Sequence, residues 1–424
     1  MATLYHVWTM TSIKDKLRTI KSSFETPPVN PVPEPIPNRI PVSEMDARIV
    51  ENQYGQYLLR EKHYPFDFLH GPSLGSFLEH LPQDFILVGK DKSLAGLSPR
   101  DVLFFDTETT GLAGGTGTSA FLIGVGYFTD QEYIVRQYFM RDFHEETAML
   151  YDLAELASNR SGLISFNGKS YDLPLLTNRF ILNRLTAPWN DYPHLDLLHA
   201  SRRMWKRHVE SCTLQSLEAA ILGFIRRGDV PGHEIPSLYF NYLRTGEFAP
   251  LVTVFKHNVM DILSMVGLVT RLVHLFHTPA NELPVPVLLG IMRTCEELGM
   301  PESALQYCDS YLEAYSHNEG LVNVLEARGY LLKKLHRHTD SLPVWSQIIR
   351  LEPYFRPGPY IELAKVYEHH LKDYHGALEI VDRALERIEL LNALYGDAYS
   401  GLARDFEYRR QRLIKRLANP LISE

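Results

Sequence analysis

The sequence predicts two architectures in series: an α/β mixed sheet with flanking helices, then an all-α domain of helical hairpins. Three observations carry this. Short apolar runs bounded by turn residues come first, near 102–107, 119–128 and 132–139, in the succession of an antiparallel meander. From about Glu145 apolar runs alternate with stretches of helical periodicity, the order expected where later strands need helical crossovers. Beyond Pro279 strand-like runs disappear, and similar stretches recur with Ala304, Ser341 and Ala377 at intervals of 37 and 36, near the length of a helical-hairpin repeat.

Residues 1–48 hold the run PPVNPVPEPIP (27–37), whose prolines favour an extended, weakly packed segment. Residues 49–100 mix aromatics with Gly and Pro, and are expected to be irregular or short-stranded and to pack on the domain that follows. The α/β domain is placed at 101–278. Its three first strands precede a helix from about Glu145 to Asn159, strands near Leu163 and Leu195, and helices near 170, 200, 213, 235 and 252. Helical repeats are placed at 284–415, with Pro353 closing one unit.

The run 102–106 is rich in Val, Leu and Phe and reads as a buried strand, yet it carries Asp106 and, two residues on, Glu108. Alternation along a strand puts both carboxylates on one side. Two buried acids so close repel each other unless a cation neutralises them or one stays protonated. Oxygen ligands without a nearby Cys suit Mg²⁺ or Mn²⁺ rather than Zn²⁺.

A second short strand, GLISF (162–166), ends in the turn signal Asn167-Gly168. The helix expected after it, to about Arg184, has Ser170 as N-cap, Asp172 and Pro174 in its first turn, where a carboxylate is favoured and a missing N–H is tolerated. A third element, 255–268, has the apolar spacing of an amphipathic helix. There His257 and Asp261, four apart, share one face.

The motifs FDTETTGL (105–112), FNGKSYDLPLL (166–176) and HNVMDIL (257–263) resemble the three exonuclease motifs of the DEDD superfamily, over roughly residues 100–275. The glycine-rich continuation AGGTGT (113–118) resembles the YprB-type bacterial subgroup. The resemblance implies a ribonuclease H-like fold, 3′ to 5′ removal of nucleotides, and Asp106, Glu108, Asp172 and Asp261 as ligands of two divalent ions. It implies His257 as the residue that handles the attacking water. In the superfamily that residue is a His five positions before the last Asp or a Tyr four before it; here a His stands four before Asp261. The repeat residues around Tyr360, Ala364, Ala377 and Ala384 resemble a tetratricopeptide pattern.

Two cations can lower the pKa of an attacking water and stabilise a leaving oxygen. An imidazole titrates where such a water's proton must be accepted. For the strand, the run RRMWKRH (202–208) offers Arg202, Arg203, Lys206 and Arg207 to phosphates and Trp205 to a base, with Asn167 beside them and Arg226-Arg227 following. The six glycines of 111–126 lack the Gly-Lys ending of a phosphate loop and lead into a strand, so they read as a turn. His194 and Asp196 read as structural, since the ligand set is complete without them.

A chain of 424 residues divides into two or three units. Its 45% hydrophobic and 22% charged content is that of a globular protein. A net charge of −8 excludes an indiscriminate nucleic-acid coat but not a local groove. No stretch is expected to span a membrane, no signal peptide is evident, and Cys212, Cys295 and Cys308 lack ligand spacing, so a cytoplasmic protein is expected. The leading expectation is a metal-dependent exonuclease acting on single-stranded DNA or RNA. The other is a non-catalytic nucleic-acid-binding or scaffold protein that recruits partners through the repeats; a concave repeat surface suits a protein partner or a longer nucleic-acid track.

Overall fold

The computed structural model describes residues 45–111, 117–315, 320–351 and 354–418. The proline run 27–37, residues 112–116 of the glycine-rich stretch and Pro353 lie outside the described residues. One mixed sheet of seven strands organises the first domain: β1 (Ala47–Asn52), β2 (Gly55–Pro65), β3 (Val102–Thr109), β4 (Ala120–Phe128), β5 (Glu132–Phe139), β6 (Gly162–Ser165) and β7 (His194–Asp196). Their order is β1-β2-β5-β4-β3-β6-β7. Pairing is antiparallel from β1 through β3 and parallel for β3-β6-β7.

The meander β3-β4-β5 and the later strands stand where the apolar runs predict them. The stretch expected to be irregular or short-stranded instead supplies the hairpin β1-β2, and β2, 11 residues long, pairs with β5 from Leu58 to Pro65. Its alternation is hidden because Tyr57–Arg60 is buried on both faces while the rest of the strand is largely exposed. A buried arginine then breaks what would otherwise read as an apolar run.

Helices cover both faces: α1 (Pro82–Gly89), α2 (Glu146–Ala157), α3 (Asp172–Leu182), α4 (Leu197–Trp205), the short α5 (Leu214–Leu217), α6 (Ile235–Thr245) and α7 (Leu251–His277). Phe104, Val135 and Ile164 point into a core shared with α1, α4 and most of α7. Phe105, Ile123 and Tyr138 point into a second core with α2, α3 and α6. The expectation that no stretch reaches membrane-span length is corrected by α7, which is long and apolar enough by length and composition. Its most apolar window is 72% buried inside the protein, so its apolarity fills the core.

An all-helical region follows: α8 (Val285–Glu297), α9 (Pro301–Ala314), α10 (Leu321–Lys334), α11 (His338–Leu351), α12 (Pro357–Lys365), α13 (Tyr374–Tyr395) and α14 (Ser400–Ala418). The recurrent Ala304, Ser341 and Ala377 are buried, as are Tyr311, Ile348 and Ala384 seven residues after each. That spacing repeats a position two turns on, so each second helix presents one face to its neighbours. At Gly329 an added Cβ would lie 2.4 Å from Cζ2 of Trp345, so α10 and α11 meet with a glycine against the indole. The core of this region is continuous with the α4/α7 core of the first domain.

Candidate metal centre and its groove

Strand β3 carries Asp106 and Glu108 on the face of Phe104, toward α7. Asn258, on α7, donates from Nδ2 to Asp106 Oδ2 at 2.9 Å. Asn258 is itself held by Gln137 of β5, whose Nε2 donates to Asn258 Oδ1 at 2.9 Å, and Arg60 of β2 donates to Gln137 Oε1 at 2.9 Å. Arg60, Gln137 and Asn258 are all buried. Gly124 makes room for this chain, since a Cβ there would sit 2.0 Å from Asn258 Oδ1.

Asp172 begins α3 and accepts a short hydrogen bond from the Thr107 hydroxyl. The expected Ser170 cap is corrected: Tyr171 precedes the helix, with no side-chain cap. The turn is fixed from outside. Asp196 accepts from the backbone N–H of Asn167 (2.9 Å), Lys169 (3.1 Å) and Leu198 (3.0 Å), so one carboxylate holds the turn after β6 and caps α4. Asn167 takes a left-handed φ of 67°, a conformation asparagine tolerates better than most residues. His194 Nε2 lies 2.7 Å from the Ser165 hydroxyl.

One ligand atom each from Glu108, His257 and Asp261 lie within 4.8 Å of one another. Asp106 and Asp172 flank this trio. Burial first, and then Asp261 and Asp172, hold the Asp106 carboxyl well above the usual carboxylate range. Burial, followed by Asp106, Asp261, Asp172 and Asp229, does the same to Glu108. Burial pushes Asp172 up to about 6. Glu108 Oε1 is buried without a hydrogen-bond partner. A buried, orphaned carboxylate oxygen among like charges is the condition a bound cation relieves. The donor set, mostly carboxylate oxygen, fits a divalent cation.

Arg226 also reaches this cluster. Its guanidinium pairs with Glu218, Asp261 and, at 3.1 Å, Asp229, with a side chain only 7% exposed. Asp229 lies 2.9 Å from His257 Nδ1, while His257 Nε2 lies 3.5 Å from Asp261 Oδ2. Asp229, Glu218 and Asn258 were not expected at the site. Arg226 was expected beside the basic run facing nucleic acid, and the structure turns it inward. Asn258 lies between His257 and Asp261 in sequence, and a buried amide in an apolar helix is the one signal that could have marked it.

A groove of about 700 Å³ opens beside the cluster, walled by Asp106, Asp261, Asn167, Leu198, Arg202 and Lys206 among others. Arg202 on α4 and Lys206, the C-cap residue that still holds helical backbone, lie four apart and share one outer face. Trp205 does not line the groove. It is 5% exposed and packed in the core, because it continues the buried stripe of Leu197, Ser201 and Met204. Its expected role as a stacking base platform is therefore corrected. Arg203 is also turned away, donating to the Val88 carbonyl. Arg207 is exposed but lines a different cavity.

Residues 103–273 match a family model described as RNase_H superfamily. Over 349 residues, 80% of this chain and 83% of the relative, the chain is 30% identical to "Uncharacterized protein YprB" of Bacillus subtilis (strain 168). Among solved structures, the family B DNA polymerase of Pyrobaculum calidifontis matches 50% of this chain at 14% identity and a TM-score of 0.32. The chain spans 29% of that polymerase.

Proposed function

Because the chain belongs to the family of Bacillus subtilis YprB and carries an RNase H-superfamily domain, we propose that it is a divalent-metal-dependent 3′ to 5′ exonuclease acting on single-stranded DNA or RNA. The observation that carries this is the buried carboxylate cluster, with its orphaned Glu108 oxygen, at the wall of a groove bearing Arg202 and Lys206. Asp106, Glu108, Asp172 and Asp261 would hold two ions, Mg²⁺ or Mn²⁺. Such a pair supplies an activated water at neutral pH and stabilises charge on the leaving oxygen.

The chain's own residues supply the rest. With Asp229 on Nδ1, His257 carries its proton there and leaves Nε2 as the acceptor for the water's proton. The spacing of four to Asp261 puts that nitrogen on the ligand face of α7. Asn258 fixes the Asp106 oxygen and Thr107 that of Asp172. Arg202 and Lys206 bind phosphates of the incoming strand, and Asn167 lines the same wall. The helical hairpins are read as tetratricopeptide-like repeats.

Incubation of the full chain with end-labelled RNA and DNA strands, with Mg²⁺ or Mn²⁺, tests this. Nucleotide release that is abolished by chelation and by Asp106→Asn is expected. No release, or release that survives the substitution, would overturn it.

One observation favours a second reading, a non-catalytic nucleic-acid-binding or scaffold protein: Arg226 already neutralises Asp261. Calorimetric titration separates the two. Uptake of two divalent ions supports the enzyme; no uptake with retained oligonucleotide binding supports the scaffold.

A further inference from the structure

We propose that the seam between α4 and α8 is a phosphate-binding site for the single strand leading away from the active site. The first helical hairpin is then part of the substrate track. This rests on the nuclease reading for the identity of the strand.

A second cavity of about 200 Å³ lies at this seam, lined by Arg202, Arg203, Lys206, Arg207 and, from α8, Arg293. Arg202 and Lys206 wall both this cavity and the groove beside Asp106 and Asp261. The two spaces therefore adjoin at Arg202 and Lys206, one reaching the carboxylates and the other the helical region. Gly290 lets the helices come this close: an added Cβ would lie 3.1 Å from the Arg203 carbonyl oxygen and 3.2 Å from Met204 Sδ.

The residues lining the seam cavity include five cations and no acid. Arg202, Lys206, Arg207 and Arg293 are exposed. Among the described residues Glu296 of α8 pairs with Lys334 at 2.9 Å and Glu297 with Lys90, though the Glu297 carboxylate also feels Arg203 and Arg293 across the seam. In a chain of net charge −8, a concentration of exposed cations that outnumbers the acids beside it attracts an anionic chain against the overall field. Basic residues closing α4 also favour its C-terminal dipole. That local effect does not account for Arg293, which stands on a separate helix across the seam. A polynucleotide fits better than an acidic protein, because the adjoining spaces begin at the carboxylate cluster and their cations are spread along them rather than gathered at one point.

The test uses the full chain with Asp106→Asn, so that bound strands persist, and measures anisotropy of a labelled tetranucleotide and of a strand several times longer across a salt series. Arg207 and Arg293 are replaced together by Ala. The log–log salt slope for the long strand is expected to fall by roughly 0.7 for each phosphate no longer neutralised, roughly 1.4 for the pair, with tetranucleotide binding unchanged. Replacement of both by Glu should lower long-strand affinity further. An unchanged slope overturns the proposal, as does an unchanged slope with abolished binding of polyglutamate, which would assign the seam to an acidic protein. A chain with Asp106 intact that shows the seam-dependent slope but releases no nucleotides would refute the nuclease reading and leave the seam standing. Cleavage with seam-independent binding would do the reverse.

Discussion

Both carboxylate oxygens of Asp229 lie 2.9 Å from Nδ1 of His257. A carboxylate on one ring nitrogen fixes the tautomer and the ring plane, leaving the other nitrogen directed at the ligand cluster. Asp229→Asn keeps the volume but removes that preference. It is expected to lower kcat for nucleotide release by about 10–100-fold, the range found when such orienting partners are removed. Oligonucleotide affinity should stay near that of the parent. An equal loss in affinity would mean that Asp229 shapes the groove rather than His257.

Arg226 is the cation that touches the buried acids, pairing with Glu218, Asp229 and Asp261. Replacing it by Met leaves those charges uncompensated, a loss of about 3–5 kcal/mol for a broken buried pair. A divalent ion at Asp261 would neutralise part of the same charge. Urea unfolding of Arg226→Met should therefore recover more stability on adding Mn²⁺ than the parent does. Equal recovery in both proteins would show that the ion and the guanidinium do not share Asp261.

Burial pulls the His194 imidazole down to about 3 and the His70 imidazole to about 4. An unfolded histidine takes up its proton near pH 6.5. Below that pH the unfolded chain gains protons that the folded chain refuses, so stability falls as pH drops from 6.5 toward the folded values and is fully present only above 6.5. At pH 5 this amounts to about 2 kcal/mol for His194. His194→Gln does not titrate and can still reach the Ser165 hydroxyl. Urea unfolding at pH 7 and pH 5 should show a smaller acid loss for the variant, by about that amount; parallel losses would place the acid sensitivity elsewhere.

Legibility followed how local each interaction is. Strand β3 could be read because Val102 to Phe105 is apolar on both faces, and its two acids stood out against that background. His257 and Asp261 could be paired because helical spacing alone brings them together. Asp229 and Arg226 could not, since they lie between α5 and α6 and reach the site through tertiary folding, with no periodicity to place them. The hairpin β1-β2 was hidden by Arg60, whose burial depends on Gln137, 77 residues away. The Asn258 amide works the same way, meaningful only once β5 and α7 are packed together.

Trp205 and Arg202 show the cost of reading composition without period. Both sit in one basic stretch and, three apart, are neighbours on the helix, yet the edge of the buried stripe falls between them: Trp205 lies in the core at 5% exposure, Arg202 on the wall of both cavities. Trp205→Ala is expected to destabilise the fold by about 3–5 kcal/mol, as a large-to-small core change does. Where the variant remains folded, its salt slope for oligonucleotide binding should match the parent's. Arg202→Ala should leave unfolding within about 0.5 kcal/mol of the parent and reduce the salt slope by roughly 0.7. Urea unfolding and anisotropy on the same two preparations decide the point. A Trp205→Ala protein of parental stability with weakened binding would place the indole in the groove after all, and α4 would have to be rotated to put it there.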